Sequence, residues 1–319
     1  MDRPNRVTLQ EGPAAGALQR TAVSHIAFAV PDVAASETFY ARVLGMHRHA
    51  RLDGGAVRLG WGSGHHVIDL LPAGDAPAGI RHYGFEVRDP GGLNAIRERL
   101  TAAAIGYEPL DPSYIDEAVG DIDGIAVADP DGLMVHFHAE VHRSGENIAD
   151  SGRRPIKFQH TTLGTDDVEK YIRFYTDVIG FRISDQLADG RFSWLRSDRD
   201  HHTLAVVNVG SAGVLDHYSY DLSEWEDFKT WCDRLTELDV EVQWGPGRHG
   251  PGNNLFIFFD DPAGTHIELS AEMEKFWDDS VTYTPRRWQP VPHSVNLWGG
   301  QTPKWRKTSE ARGEAVISA

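Results

Sequence analysis

The chain has 319 residues, 40% hydrophobic and 24% charged, the composition of a soluble globular protein with room for two domains. Its 31 basic and 47 acidic residues give a net charge of -16, which argues against nucleic acid and anionic membrane as partners. No apolar run approaches the ~18 residues of a membrane span, MDRPNRVTLQ at the start lacks a signal-peptide core, and a single cysteine, Cys232, excludes a disulfide framework, so a reduced, cytoplasmic setting is expected.

Residues 1–21 read as a polar arm. A strand over Val23–Val30 follows, then Pro31-Asp32 and a helix carrying Ala35, Phe39, Tyr40 and Val43, with Asp32 as its N-cap and Gly45 as its stop. Short strands at Ala56–Leu59 and Val67–Leu71 come next. A second unit opens with Arg81–Val87, continues in a helix over roughly Gly92–Ala104, and closes with strands at Gly124–Ala128 and Leu133–Phe137 around the turn Asp129-Pro130-Asp131-Gly132. Polar residues 144–155 read as a linker. The order then restarts: strand Phe158–Leu163, a helix capped near Asp166-Asp167 and stopped at Gly180, strands Phe192–Leu195 and Thr203–Val207, strand Asp216–Leu222, a helix through Leu235, and the pair of runs Leu255–Phe259 and Thr265–Leu269 about Asp261-Pro262-Ala263-Gly264.

The restart is an internal repeat. His25, Phe39-Tyr40, Gly45 and His82 recur 135 positions on as His160, Phe174-Tyr175, Gly180 and His217, and the Asp129 turn recurs at Asp261, 132 positions on. Each half holds two strand-helix-strands units, so the expected fold is α+β, four βαβββ modules in two tandem domains, 22–143 and 156–275.

Within the second half His160 and His217 lie on the first strands of two modules and Glu268 on a late strand, where they can converge on one sheet face. Taken alone, Glu268 between Ile267 and Leu269 reads as a carboxylate on a solvated strand face. A lone histidine is usually a hydrogen-bonded core or surface residue. Two imidazoles and a carboxylate on one face, with coordination positions left open, instead suit a non-haem Fe(II) centre that activates O2.

FQHTTLGTDDVEKYIRFYTDVIGFRISD, the pair His201-His202, LDHYSYDL, GPGRHGPGNNLF and DPAGTHIEL occur in that order, and with these pieces the chain over about 22–275 resembles the type I extradiol ring-cleaving dioxygenases of the vicinal oxygen chelate superfamily. The resemblance implies two tandem vicinal-oxygen-chelate domains, with His160, His217 and Glu268 holding Fe(II), or Mn(II) in its place. It implies His202 as the acid-base histidine, His249 as a contact to the substrate oxygen, and Trp194, Asn254 and Phe258 as substrate-pocket residues. His201 is expected to face away, as neighbours in a strand do. The partners implied are a catecholic small molecule and O2, and a homo-oligomer, dimer or tetramer, is expected. The activity implied is cleavage of a catechol ring to a muconic semialdehyde-type product in aromatic catabolism.

One position departs from the family. Ten residues before the glutamate ligand the family usually carries a tyrosine; here stands Phe258, whose ring has no donor, leaving Tyr218, Tyr220 or Tyr283 as candidate substitutes. Trp244 stands where the homoprotocatechuate enzymes carry a carboxylate-binding arginine, so an uncharged catechol is preferred. An O2-independent lyase, hydrolase or isomerase, or a non-catalytic binding protein, stays open as an alternative. In the first half His25, His82 and His136 form a second candidate metal trio, beside a His65-His66 pair, against the reading of relic histidines in a structural domain. The aromatic, proline-rich tail 276–319 reads as a lid on the site or a strap on its own domain, with Arg286 and Arg287 as candidate rim charges.

Overall fold

The computed structural model describes residues 20–62, 67–111, 122–141, 154–278 and 283–299. All but the last two residues of the expected arm, residues 144–153 of the expected linker, and the His65-His66 pair lie outside the described residues.

Four βαβββ modules are present. The first is β1 (Thr21–Val30), α1 (Val33–Leu44), β2 (His47–Arg51), β3 (Val57–Gly60) and β4 (Ile68–Pro72). The second is β5 (Gly79–Val87), α2 (Gly92–Ala102), β6 (Glu108–Pro109), β7 (Gly124–Ala128) and β8 (Met134–Ala139). The third is β9 (Lys157–Thr165), α3 (Val168–Arg173) with a π-helical turn over Phe174–Ile179, β10 (Arg182–Leu187), β11 (Phe192–Arg196) and β12 (Leu204–Asn208). The fourth is β13 (Val214–Asp221), α4 (Trp225–Glu237), β14 (Trp244–Arg248), β15 (Leu255–Asp260) and β16 (His266–Ala271). The tail adds β17 (Arg286–Trp288) and a short α5 (Pro292–Val295). The caps are as expected: Asp32 accepts from the Ala35 amide, Asp167 from those of Glu169 and Lys170, and Gly45 (φ 69°) and Gly180 (φ 100°) end their helices in the left-handed region.

Each half builds one sheet, in the orders β2-β3-β4-β1-β5-β8-β7-β6 and β14-β15-β16-β13-β9-β12-β11-β10-β17. In each, the first strands of its two modules pair antiparallel, β1 with β5 and β9 with β13. Strand alternation then sorts side chains onto two faces. On the second sheet Leu163, Leu204, Tyr218, Ile257, Phe259, Ile267 and Leu269 turn to the main apolar core. Their neighbours Thr162, Ala205, His217, Phe258 and Glu268 turn the other way, onto an inner face that is itself buried. The solvated face expected for Glu268 is therefore corrected: the carboxylate is 0% exposed, because the sheet encloses that face rather than offering it to water.

The two halves share one core. Phe28 packs 5.4 Å from Tyr218, and Phe85 5.4 Å from Phe181. Two buried polar bridges, equivalent in the repeat, fix their junction. Tyr40 donates to Asp261 Oδ2 (2.8 Å), so the Tyr218 hydroxyl donates to Tyr40 (2.7 Å). Tyr83 donates to Asp129 Oδ2 (2.9 Å) and receives from Tyr175 (2.6 Å), and Tyr171 also reaches Asp129 (2.8 Å). The other carboxylate oxygen of each aspartate accepts two amides of its own turn, Asp131 and Leu133 in one case, Ala263 and Thr265 in the other. One residue thus shapes the Asp-Pro-x-Gly turn and bridges the halves, which explains why that turn is a landmark of the repeat.

Removing the Tyr40 hydroxyl leaves a buried carboxylate short of a donor, a loss of about 1–3 kcal/mol. Tyr40→Phe is expected to lower the free energy of unfolding by that amount, seen as a lower urea midpoint with an unchanged slope; an unchanged midpoint would show that the bridge contributes nothing to stability.

Candidate metal centre and active site

Three strands bring the predicted trio together. His160 stands on β9, His217 on β13 and Glu268 on β16, and the register sets Ser219 of β13 opposite both His160 and Glu268. One ligand atom of each lies within 4.8 Å of the other two. Glu268 Oε2 is 3.1 Å from His160 Nε2 and 3.4 Å from His217 Nε2, and the two Nε2 atoms are 3.4 Å apart.

The outer nitrogens are already engaged. His160 Nδ1–H donates to Gln159 Oε1 (3.0 Å), and Gln159 is held in turn by Asp221 (2.6 Å). His217 Nδ1–H donates to Asp216 (2.6 Å). Both rings therefore present Nε2 to the common point, the arrangement by which outer-shell partners aim metal-binding histidines. Glu268 Oε2 is buried with no hydrogen-bond partner, so a divalent cation fits among these donors. Asn254 holds the other oxygen of Glu268 at 3.3 Å and bonds Ser270 at 2.8 Å.

Charge follows the same geometry. Burial opposes ionisation of Glu268, but His160, His217 and His249 outweigh it and hold the carboxyl well below its usual range. Burial would lower His217, yet Asp216 and Glu268 push it up to about 9 in the metal-free chain. His202 goes the other way: burial first, then His160 and His201, hold it well below 6.5, so it is neutral at neutral pH.

The other predicted residues fall around this point. His202 sits with its ring 4.3 Å from that of His160, and its Nδ1 is 3.0 Å from His201 Nδ1. His249 Nε2 lies 3.5 Å from Glu268 Oε1, while its Nδ1–H donates to the Val295 carbonyl of the tail (2.5 Å). Phe258 is directly across the ladder from Glu268, its ring 5.1 Å from His217. Trp244 lies 5.1 Å from Phe258, and Phe256 stacks on His249 at 4.0 Å. Trp194, stacked on Phe192 at 4.1 Å, stands on the same inner face in an apolar cluster with Ala205, Val207 and Trp288.

The tail answers two further expectations. Arg286 is no rim charge: it is paired with buried Asp185 at 2.9 Å and with Glu274. Tyr283 and Trp288 also bond Asp185, at 3.3 and 2.8 Å. None of the three tyrosines considered replaces the missing donor, since Tyr218 bonds Tyr40, Tyr220 packs in the core against Trp61, and Tyr283 is spent on Asp185. Sequence reasoning missed Thr162, whose hydroxyl is 3.0 Å from His217 Nε2. It also missed His201 as a neighbour of His202: His201 does turn away from the trio, to 3.1 Å from Asp185, yet its Nδ1 backs onto His202.

The chain is 26% identical over 265 residues to metapyrocatechase of Pseudomonas sp. (strain CF600), covering 77% of this chain and 84% of that protein. It is 26% identical over 239 residues to the iron-dependent extradiol dioxygenase of Rhodococcus jostii (strain RHA1), covering 68% of this chain and 76% of that protein. The crystal structure of the Mn(II)-bound glyoxalase from Novosphingobium aromaticivorans superposes with a TM-score of 0.74 at 27% identity, covering 90% of this chain and 92% of that one. With both halves matched, over residues 22–137 and 157–269, the chain belongs to the Glyoxalase/Bleomycin resistance protein/Dioxygenase superfamily.

Proposed function

We propose that the protein is an extradiol dioxygenase that opens the ring of an uncharged catechol with O2, using Fe(II), or Mn(II), held by His160, His217 and Glu268. The observation that carries the reading is the buried two-histidine, one-carboxylate set with neutral His202 beside it. The names of its iron-dependent and manganese-bound relatives support the choice of metal. When bound, the metal ion supplies adjacent positions for both catechol oxygens and O2, which removes the entropy of a three-body encounter.

The side chains do the rest. Neutral His202 accepts a proton on Nε2 and returns it as the ring opens, while Nδ1 rests against His201. His249, oriented by the Val295 carbonyl, and the Thr162 hydroxyl face the substrate oxygens in place of the family's tyrosine. Trp244, Phe256 and Phe258 form an apolar wall that receives the ring and excludes water. Among the described residues no arginine is placed on that wall, which favours a ring without an acidic substituent. Phe258 and the glyoxalase relative favour one second reading, metal-dependent chemistry without O2.

Anaerobic reconstitution with Fe(II), followed by a catechol panel in an oxygen electrode, separates the two. Yellow ring-cleavage product with equimolar O2 uptake is expected, and product without O2 consumption would establish the second reading. His202→Phe is expected to cut kcat by about 10²–10⁴ while retaining iron, and Thr162→Val to raise KM with iron retained; unaltered turnover in His202→Phe would remove its assigned role.

His217 gives a pH dependence. Its folded value of about 9 lies above its ordinary 6.5, so in the metal-free chain the imidazolium contributes stability that is full below pH 6.5 and lost as pH rises through 9. A cation must displace that proton. Mn(II) affinity of the metal-free protein is therefore expected to rise about tenfold per pH unit from near 7 towards 9 and then level off. A flat titration series at pH 7, 8 and 9 would show that His217 carries no proton there.

A further inference from the structure

The first half holds a second convergence of ligand-type side chains that the reaction does not use. His25 on β1, His82 on β5 and His136 on β8 each bring a ring nitrogen within 4.8 Å of the other two. Their ring centroids are 4.5 to 5.6 Å apart. His25 and His136 are buried and His82 is half-buried. The three occupy the places that β9, β13 and β16 give to His160, His217 and Glu268.

Room for them is built in. Gly84 of β5 lies opposite both His25 and His136, where β13 has Ser219. A Cβ at Gly84 would come within 2.0 Å of the His25 ring, so glycine is what lets that ring lie across the strand. A chain of bonds fixes the ring's tautomer. His138 Nδ1–H donates to the Ala139 carbonyl (2.8 Å), so its Nε2 accepts from the Ser24 hydroxyl (2.9 Å). Ser24 Oγ then accepts from His25 Nδ1–H (2.8 Å), which leaves Nε2 as the ligand nitrogen. This is the support that aims metal-binding imidazoles.

The surroundings differ from the other half in two ways. A third imidazole replaces the carboxylate, giving an all-nitrogen donor set. Trp194 and Ala205 have as repeat counterparts Arg58 and Asp69, a buried pair joined by two 2.9 Å bonds. An ion pair thus stands where the other half packs Trp194, so this chamber does not offer the apolar face that receives an aromatic ring.

We propose that His25, His82 and His136 form a second, structural metal site for a divalent cation of the nitrogen-preferring class, Zn(II) first among them, with Co(II) as its spectroscopic stand-in. Three neutral imidazoles favour that class over Fe(II) and Mn(II), which stand lowest in the affinity order for such sites.

The test is titration of the untagged, metal-free, full-length chain with Co(II), read by d–d absorption and by bound metal after desalting. Two equivalents per chain are expected. The double variant His160→Ala/Glu268→Ala is expected to keep one, and His25→Ala/His136→Ala to keep the other. Gly84→Val, which alters no ligand, is expected to lose the same equivalent as His25→Ala/His136→Ala. Saturation of the wild-type chain at one equivalent, lost with His160 and Glu268, would overturn the proposal without need of any variant in the first half. So would a second equivalent that survives both His25→Ala/His136→Ala and Gly84→Val in folded protein. Stoichiometry is read without turnover, so absence of ring cleavage leaves this site standing, and ring cleavage with a single bound metal overturns this site alone.

Discussion

A carboxylate that water cannot reach is the constraint around which the second half is arranged. Glu268 is fully buried, its burial opposes its charge, and it remains ionised because the imidazoles of His160, His217 and His249 face it. An unpaired buried charge costs several kcal/mol, so each supporting contact has an energetic reason to exist. Asn254 takes one oxygen, and the other has no hydrogen-bond partner. Without a cation the site holds excess negative charge, and His217 answers by keeping a proton up to about pH 9. A divalent ion held there would take the place of that proton and satisfy the remaining oxygen. Metal affinity and the stability of the enclosed sheet are thus two aspects of one electrostatic balance.

That balance requires strands from two modules to hold their register, and the junction between the halves helps to keep it. The bridges Tyr40–Asp261 and Tyr171–Asp129 tie each Asp-Pro-x-Gly turn to the opposite half. Asp261 lies in the turn between β15, which carries Phe258, and β16, which carries Glu268. A contact from the first half therefore positions the hairpin that delivers the ligand carboxylate. The two tandem domains read in the sequence are joined by a common core and by these aspartates.

Much of this was legible in the sequence because the repeat is close to regular. A constant offset made His160 and His217 counterparts of His25 and His82, and alternation along each strand put them on one face. What escaped depends on departures from regularity. The ladders slip between Leu215 and His217, between Ser219 and Tyr220, and between Ile183 and Asp185. Each slip displaces neighbours such as Asp216, Gln159 or Asp185 from where simple alternation would put them, and no residue pattern announces it. Strands β10 and β14 were not foreseen because RISDQL is too polar and WGPGR too rich in glycine and proline to read as strands. Thr162 was hidden among ordinary strand residues, since a hydroxyl beside a metal site has no sequence signature of its own.

The tail shows the same limit from another side. Its aromatic composition announced that it must pack on something, without saying on what. In the structure it touches both ends of the second sheet's strand order. β17 adds to β10 at one end, and beyond it the Gly250 amide after β14 bonds the Ser294 carbonyl, while the Leu297 amide bonds the Arg248 carbonyl at the other. A sheet whose ends are joined by one strap encloses its inner face, which is why that face is buried without being core. The strap also meets the chemistry at two points: the Val295 carbonyl orients His249, and Arg286 holds Asp185, which stands behind His201 and so behind His202. Burial opposes charge on Asp185, yet His201 and Arg286 hold its carboxyl below the usual range, so the negative charge behind the two histidines persists at neutral pH. Closure of the chamber and orientation of His249 and His202 are therefore the same structural event, and a change in the strap must alter both together.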